Sequence, residues 1–191
     1  MGRDRKFNTV DLFLCTKKLI TQTGYEGFTI GQLATQLNVT RSAIYKYYQN
    51  KDELLLDFMV EEMKNTLESF SSLSKSLPFL EKINLLLEKI FTYKDLHLIL
   101  GIQDVIPTNG DPQLEAKKNH LSLMHHELYK PLIHVVEQGK IEGFIEMDMP
   151  NELLLGFLFQ SISIPNYSGM NAEQMLIYTK KLILNGILKK K

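Results

Sequence analysis

The sequence predicts an all-α fold, and three observations lead to that prediction. Apolar residues recur every three or four positions through most of the 191 residues, which is the spacing of one helix face. No alternating run of Val, Ile or Thr is closed by an Asn-Gly or Asp-Gly turn, so hairpin signals are absent. Clusters of Ser, Pro and Gly divide the chain into segments of helical length.

The first predicted helix opens a small N-terminal bundle. Asn8 or Thr9 is a candidate cap, because both side chains can accept a hydrogen bond from a free backbone N–H. Apolar residues then keep a helical rhythm to about Thr23, and Gly24 is the residue type that usually ends a helix.

Two short helices complete this bundle and are separated by the residues LNVT. The second helix starts at Thr29 and turns the small side chain of Ala34 inward. The third helix starts at Thr40 and runs to about Tyr48, with Ile44 and Tyr48 one turn apart on its inner side. This arrangement predicts a helix-turn-helix, in which the second of the two helices enters the major groove of DNA.

A longer fourth helix is predicted from Asn50 or Lys51, and a serine-rich break follows it at residues 69–76. Further helices are expected near residues 79–93, 94–106, 114–140, 151–164 and 172–189. We therefore predict two domains, a helix-turn-helix DNA-binding domain over residues 1–50 and an effector-binding and dimerisation domain over residues 51–191.

Charge is unevenly distributed along a chain whose formal net charge is zero. Residues 1–51 hold eight Lys or Arg and three acids, a balance of +5, and the remaining 14 bases and 19 acids give −5. A basic end on a neutral protein indicates a polyanionic partner there. The single cysteine excludes an internal disulfide, and no signal peptide or membrane span is evident, so we expect a soluble cytoplasmic protein with no membrane association.

The outer side of the third helix carries the chemistry expected of a DNA-reading surface. Arg41, Ser42, Tyr45 and Lys46 project opposite the inward residues. Arginine can bond two atoms of a guanine edge, lysine reaches guanine or phosphate, and tyrosine hydroxyls bind phosphate oxygens. The alternative is that the tyrosines only pack the bundle, and we prefer that alternative for Tyr48.

The stretch TKKLITQTGYEGFTIGQLATQLNVTRSAIYKYYQNKDELL resembles the DNA-binding domain of the TetR family of bacterial transcriptional regulators. The resemblance covers about a quarter of the chain. With the residue chemistry, it predicts DNA contacts from Thr29, Thr40, Arg41, Ser42, Ala43, Tyr45, Lys46, Tyr47 and Lys51. The basic tail residues Arg3, Arg5 and Lys6 are weaker candidates for backbone or minor-groove contacts.

The resemblance also implies a homodimer formed by the last two helices. The segment LLLGFLFQSISI is apolar nearly all round, which predicts burial on more than one side. The predicted interface residues are Leu153, Gly156, Phe157, Gln160, Leu176, Lys180, Ile183 and Ile187. The alternative is that both helices belong only to the internal core.

The family analogy further places a small-molecule pocket among the middle helices. The predicted lining is Phe91, Tyr93, His97, Met124, His125, Tyr129, Phe157 and Gln160, although residues at such spacing are often plain core. No His-x-x-x-His pair, nucleophile motif or Gly-rich phosphate loop is present, so we expect no metal site, no cofactor and no enzymatic activity.

Together these features predict a ligand-responsive DNA-binding transcriptional regulator. We expect a repressor that binds a palindromic operator as a homodimer and is released when a small molecule changes the dimer geometry. The fourth helix is the expected mechanical link between the two domains. The alternative is a helix-turn-helix protein without an effector, whose C-terminal bundle only dimerises.

Overall fold

A computed structural model of the chain describes residues 7–74 and 76–187, and all regular structure in these ranges is helical. The all-α prediction is therefore confirmed. The helices, numbered α1 to α9 in chain order, are Thr9–Gly27, Ile30–Gln36, Arg41–Ile44, Lys51–Phe70, Phe79–Thr92, Lys94–Leu100, Pro112–Ile141, Asn151–Gln160 and Ala172–Ile187. Short 3-10 turns lie at Ser71–Ser74, Gln103–Val105 and Ser161–Ser163. The candidate tail residues Arg3, Arg5 and Lys6 lie outside the described residues.

The chain divides into two compact units, each with its own core. The first unit consists of Met1–Lys64 and Asp95–Leu123, and the second of Asn65–Lys94 and Met124–Lys191. Both units are thus built from two separate stretches of sequence. The predicted boundary at residue 50 divides the chain by function, into a DNA-binding part and an effector-binding part. That division stays a prediction.

Local hydrogen bonds explain where the N-terminal helices begin. The Asn8 side chain accepts a bond from the backbone N–H of Asp11 and so caps α1. Thr29 and Gln32 form a capping box at the start of α2, in which each side chain bonds the other residue's backbone N–H. Gly24 has φ of 65°, a left-handed conformation that glycine adopts without strain, so it interrupts α1 before its end at Gly27.

The core of the first unit is built from the inward faces of α1, α2, α3 and α4. Its completely buried large side chains include Leu12, Ile20, Phe28, Leu33, Ile44, Leu54 and Phe58. The rings of Phe13 and Phe58 meet in a T-shaped arrangement at 5.8 Å between centroids, which joins α1 to α4. Lys17 and Glu62 add an ion pair of 2.6 Å between the same two helices. This packing fixes the frame on which the helix-turn-helix stands.

The core of the second unit forms where α5 packs against α8 and α9. The rings of Phe79 and Phe144 stack at 5.3 Å, close to Gly139 of α7. Lys180 of α9 donates a hydrogen bond of 2.7 Å to Glu88 of α5. In the ranges that the structure describes, no helix has the length and apolar character required to cross a membrane.

Candidate nucleic-acid interface

The turn between α2 and α3 is closed by backbone hydrogen bonds. Asn38 donates to the carbonyl of Thr35 and Val39 donates to the carbonyl of Ala34. Asn38 has φ of 53°, and asparagine is one of the few residues besides glycine that tolerate this left-handed conformation. Ala34 is 3% exposed, which agrees with the prediction that its small side chain faces inward. The turn therefore holds the two short helices in a fixed relation.

Helix α3 is shorter than the sequence predicted. Regular helix ends at Ile44, and the segment from Tyr45 to Tyr47 continues as a turn. The Ile44 carbonyl accepts a 3-10-type hydrogen bond from the backbone N–H of Tyr47 and an α-type bond from that of Tyr48, so the two patterns are mixed in this turn. Ile44 is completely buried and Tyr48 is 6% exposed, so the inward pair lies where the periodicity placed it.

Four of the predicted DNA contacts lie together on the outer face of this segment. Arg41, Ser42, Tyr45 and Lys46 are all exposed, and Tyr45 keeps 51% of its surface. The Thr40 hydroxyl does not cap α3 but lies 2.9 Å from the Ser42 hydroxyl. The result is a polar surface with two cationic side chains and three hydroxyls.

Ala43 is placed differently from the prediction. It is 6% exposed, so its methyl group lies in the core beside Ile44 and not on the outer face. The reason is the helical step: successive residues are about 100° apart, so Ala43 shares the inward side with Ile44 while Arg41 and Ser42 share the outer side. The outer face therefore excludes the Ala43 side chain.

The remaining predicted contacts flank this face. Thr29 is exposed at the start of α2, where its hydroxyl donates a bond of 2.9 Å to the side-chain oxygen of Gln32. Tyr47 keeps 42% of its surface, and its ring meets the edge of the Phe7 ring at 5.7 Å. Packing and exposure are thus combined in Tyr47, as is usual for tyrosine at an interface.

Lys51 is held at the start of α4 by a residue that the sequence did not single out as functional. Its Nζ donates a hydrogen bond of 3.0 Å to the backbone carbonyl of Tyr25 and lies 3.9 Å from the centre of the Tyr25 ring. The Tyr25 hydroxyl in turn donates a bond of 2.8 Å to Asp52. The available sequence signal was the Gly24-Tyr25 pair, since the left-handed glycine turns the chain immediately before this ring.

Burial raises the pKa of the Tyr25 phenol above its ordinary value of 10.0. The hydrogen bond to Asp52 and the negative charges of Asp52 and Glu26 raise this pKa further. A neutral phenol can donate to the carboxylate, whereas a phenolate beside two carboxylates would be repelled. Tyr25 therefore stays neutral and keeps its contact with Asp52.

Of the predicted pocket residues, His125 and Tyr129 lie together, with 5.4 Å between their ring centroids, and the pocket as a whole stays a prediction. His97 belongs to the first unit, whereas the other seven residues belong to the second. Met124 is buried, while His125, Phe157 and Gln160 are exposed. In the part of the chain that is described, no three His, Cys, Asp or Glu side chains are grouped as they would be around a metal ion.

A cleft of about 570 Å³ lies in the second unit instead, and only Phe91 of the predicted set lines it. Most of its wall comes from residues 162–176, which cover the end of the helix predicted near residues 151–164, the connection after it and the start of the helix predicted near residues 172–189. Its lining is Glu88, Phe91, Thr92, Lys94, Ile162, Ile164, Asn166, Met170, Ala172, Glu173, Met175 and Leu176. Two methionines and two isoleucines in this segment were the sequence feature that could have indicated an apolar cleft.

The predicted dimer residues of α8 share one exposed face. Leu153 and Phe157 are 63% and 58% exposed, and Gly156 and Gln160 lie at helical spacing beside them. This spacing of three and four residues defines a continuous helix surface.

The predicted dimer residues of α9 are placed differently. Ile183 is 4% exposed and Lys180 is bonded to Glu88, because this side of α9 packs against α5. Leu176 is half-buried in the cleft wall, and the side chain of Ile187 lies outside the described part of the chain. The apolar residues that α9 presents outward are Ile177, Tyr178 and Leu182, at 53%, 54% and 72% exposure.

Residues 15–58 match the family described as "Bacterial regulatory proteins, tetR family". The uncharacterized HTH-type transcriptional regulator YhgD of Bacillus subtilis (strain 168) is 31% identical over 132 residues, which are 68% of this chain and 67% of that protein.

Two solved structures share the fold. The ketosteroid transcriptional regulator KstR2 of Mycobacterium tuberculosis has a TM-score of 0.72 at 16% identity, covering 100% of this chain and 98% of that chain. The transcriptional regulator FadR from Bacillus subtilis, in complex with stearoyl-CoA, has a TM-score of 0.65 at 18% identity, covering 94% of this chain and 100% of that chain.

The Tyr25–Asp52 bond predicts a pH-dependent contribution to stability. At pH 8, Tyr25→Phe should lower the free energy of unfolding by about 1 kcal/mol, because it removes one hydrogen bond. The folded-state pKa of Tyr25 is raised, so this contribution is complete below pH 10 and is lost as pH rises from 10 through the folded pKa. Urea unfolding of both proteins from pH 8 to 11 measures the difference, and a gap that stays constant across this range would contradict the assignment.

Proposed function

The chain belongs to the TetR family of bacterial regulatory proteins and is a DNA-binding transcriptional regulator, and on that premise we propose that it is a repressor. In this proposal it acts in the cytoplasm, binds a palindromic operator as a homodimer and is released by a small molecule. We assign it no catalytic activity. The observation that carries the proposal is the exposed cationic and hydroxyl-bearing face of Thr40–Lys46, opposite the buried side chain of Ile44.

The proposed roles follow from the chemistry of each side chain. Arg41 reads a base edge, because its planar group can donate two parallel hydrogen bonds to guanine. Tyr45 and Tyr47 bind phosphate oxygens through their hydroxyls, which fixes the position of the protein without reading sequence. Lys46 and Lys51 supply positive charge to the phosphate backbone. Two further hydroxyls on this surface, those of Thr29 and Ser42, are additional phosphate ligands.

The exposed faces of α8 and α9 support the homodimer. Leu153 and Phe157 of α8, with Ile177, Tyr178 and Leu182 of α9, are apolar or aromatic side chains that keep more than half of their surface. Large apolar patches on soluble proteins usually mark interaction sites. A two-fold pairing through the same patch on both copies would place two recognition helices on successive major grooves, about 34–36 Å apart.

The cleft in the second unit supports an effector site. Its volume of about 570 Å³ lies within the range of small-molecule sites, and its lining is mainly apolar with a few charged groups. Met170 and Met175 supply flexible apolar wall, and Glu173 and Lys94 supply charge. We infer an amphipathic effector with an apolar body. FadR of Bacillus subtilis, which shares the fold, is in complex with stearoyl-CoA in its solved structure.

Release from DNA requires the effector to favour one dimer geometry over another. A ligand that binds both geometries equally well would switch nothing, whatever its affinity. A coupling free energy of about 1–3 kcal/mol between the two sites is typical and would lower operator affinity between about 5-fold and 150-fold.

Substitution on the outer face should separate base reading from phosphate binding. Arg41→Ala should reduce the preference for an operator over a scrambled duplex by about 1–3 kcal/mol, because a guanine contact is lost. Tyr45→Phe should weaken binding to both duplexes equally, because only a phosphate contact is lost. Gel-shift titrations on duplexes selected from a random pool by the wild-type protein measure both effects. Equal losses on both duplexes for Arg41→Ala would remove it from base reading.

A charge on the apolar face of α9 should dissociate the dimer. Leu182→Asp places a carboxylate on the proposed interface, where it would be desolvated without a partner. Leu123→Asp is the matched control, because Leu123 is 64% exposed on α7 in the first unit. Sedimentation should show a dimer for the wild type and the control and a monomer for Leu182→Asp. A dimer that is insensitive to Leu182→Asp would place the interface elsewhere.

Filling the cleft should abolish effector binding. Stearoyl-CoA and shorter acyl-CoA molecules are the first probes, and a bound one should raise the melting temperature, since ligand at 100 times its Kd stabilises by about 2.7 kcal/mol. Ala172→Trp should remove that shift, while the exposed Ala116→Trp on α7 should keep it. If none of the acyl-CoA probes shifts the wild-type melting temperature, this effector class is excluded, and a dimer without an effector gains support.

A further inference from the structure

The strongest unexplained feature of the helix-turn-helix is a glycine inside α2. Gly31 is the second residue of Ile30–Gln36, in the first turn of α2, and glycine is a poorer helix former than alanine. Its backbone is not in the left-handed region, so no turn requires glycine there. The conformational freedom of glycine therefore does not account for this residue.

The position of the Arg41 side chain explains why a glycine stands at position 31. A Cβ atom added to Gly31 would lie 2.7 Å from Nη2 of Arg41 and 2.9 Å from both its Cζ and its Nε. The planar guanidinium of Arg41 thus occupies the volume that any other side chain at position 31 would fill. Gly31 itself is half-buried.

We propose that Gly31 is a specificity-determining position that orients the Arg41 guanidinium for reading a base edge. The inference rests on the proposed function, because it concerns how Arg41 contacts DNA. The guanidinium lies against the α2 backbone and has no hydrogen bond or ion pair to any described residue, so its five N–H donors are available to DNA. A long side chain that is already held in one direction loses less rotamer freedom when it binds.

Gly31 is in this account a positioning residue that acts only through Arg41. The atoms that a new Cβ would meet belong to the far end of a flexible side chain, and none belongs to the backbone. Arg41 would therefore swing away, and α2 would keep its fold and gain helix propensity. The expected result of Gly31→Ala is a protein that is at least as stable as the wild type but reads DNA less selectively.

A double-mutant cycle tests the coupling. Gly31→Ala and Arg41→Ala should each lower the preference for the selected operator by roughly ten-fold, at the same base pair when each pair of the operator is substituted in turn. The double variant should be no worse than Arg41→Ala, because Gly31 has no effect once the guanidinium is absent. In an Arg41→Lys background, Gly31→Ala should change the base preference little, since lysine lacks the planar group.

The matched control is Gln36→Ala, which also raises helix propensity in α2 but lies five residues along, about 140° around the helix from Gly31. It should leave base preference at the Arg41 pair unchanged. Urea unfolding of each variant reports whether α2 keeps its stability.

The outcomes separate this inference from the proposed function. If the wild type shows no sequence-selective, salt-sensitive binding to duplex DNA, the proposed function fails and the inference fails with it. If the wild type and Arg41→Ala behave as expected but Gly31→Ala keeps full base preference, only the inference is overturned. Independent, additive losses in the double variant would also overturn it, as would a marked loss of stability in Gly31→Ala, since that would place the clash in the backbone.

Discussion

Burial of Ile44 and Tyr48 is the constraint on which the recognition surface depends. Helix α3 has only four residues, and a helix of that length has no stability of its own in water. It persists because Ala43, Ile44 and Tyr48 are 6%, 0% and 6% exposed in the core of the first unit. The outward direction of Arg41, Tyr45 and Lys46 is a consequence of that anchoring. The position of the outer face therefore depends on the packing of the core beneath it.

Long side chains around this anchor are held by neighbours that carry no DNA-binding chemistry themselves. Tyr25 holds Lys51 through its backbone carbonyl and its ring, and its hydroxyl is fixed by Asp52. Gly31 leaves room for the guanidinium of Arg41 against α2. In the DNA-bound complex that we propose, both cations would already be held by their neighbours, which lowers the entropy lost on binding.

The sequence predicted the helices well because their signals are local. Periodicity located the long helices, and Asn8 and Thr29 marked the starts of α1 and α2 through side chains that bond nearby backbone groups. The features that the sequence did not predict depend on tertiary packing. The length of α3 and the burial of Ala43 are set by the core, and the inward side of α9 is set by its contact with α5. The cleft is formed by side chains of α5, of the start of α9 and of the connection before α9, and their coming together depends on tertiary packing, which periodicity does not report.

We propose that the outer face of Thr40–Lys46 binds the phosphate backbone and bases of duplex DNA. The most direct measurement is the slope of log affinity against log salt concentration for the wild type, for Lys46→Ala and for Lys64→Ala, whose lysine is exposed on α4 away from this face. We expect a steep negative slope for the wild type. Lys46→Ala should reduce the magnitude of this slope by about 1, and Lys64→Ala should leave it unchanged. An affinity that does not vary with salt, or equal slopes for all three proteins, would contradict it.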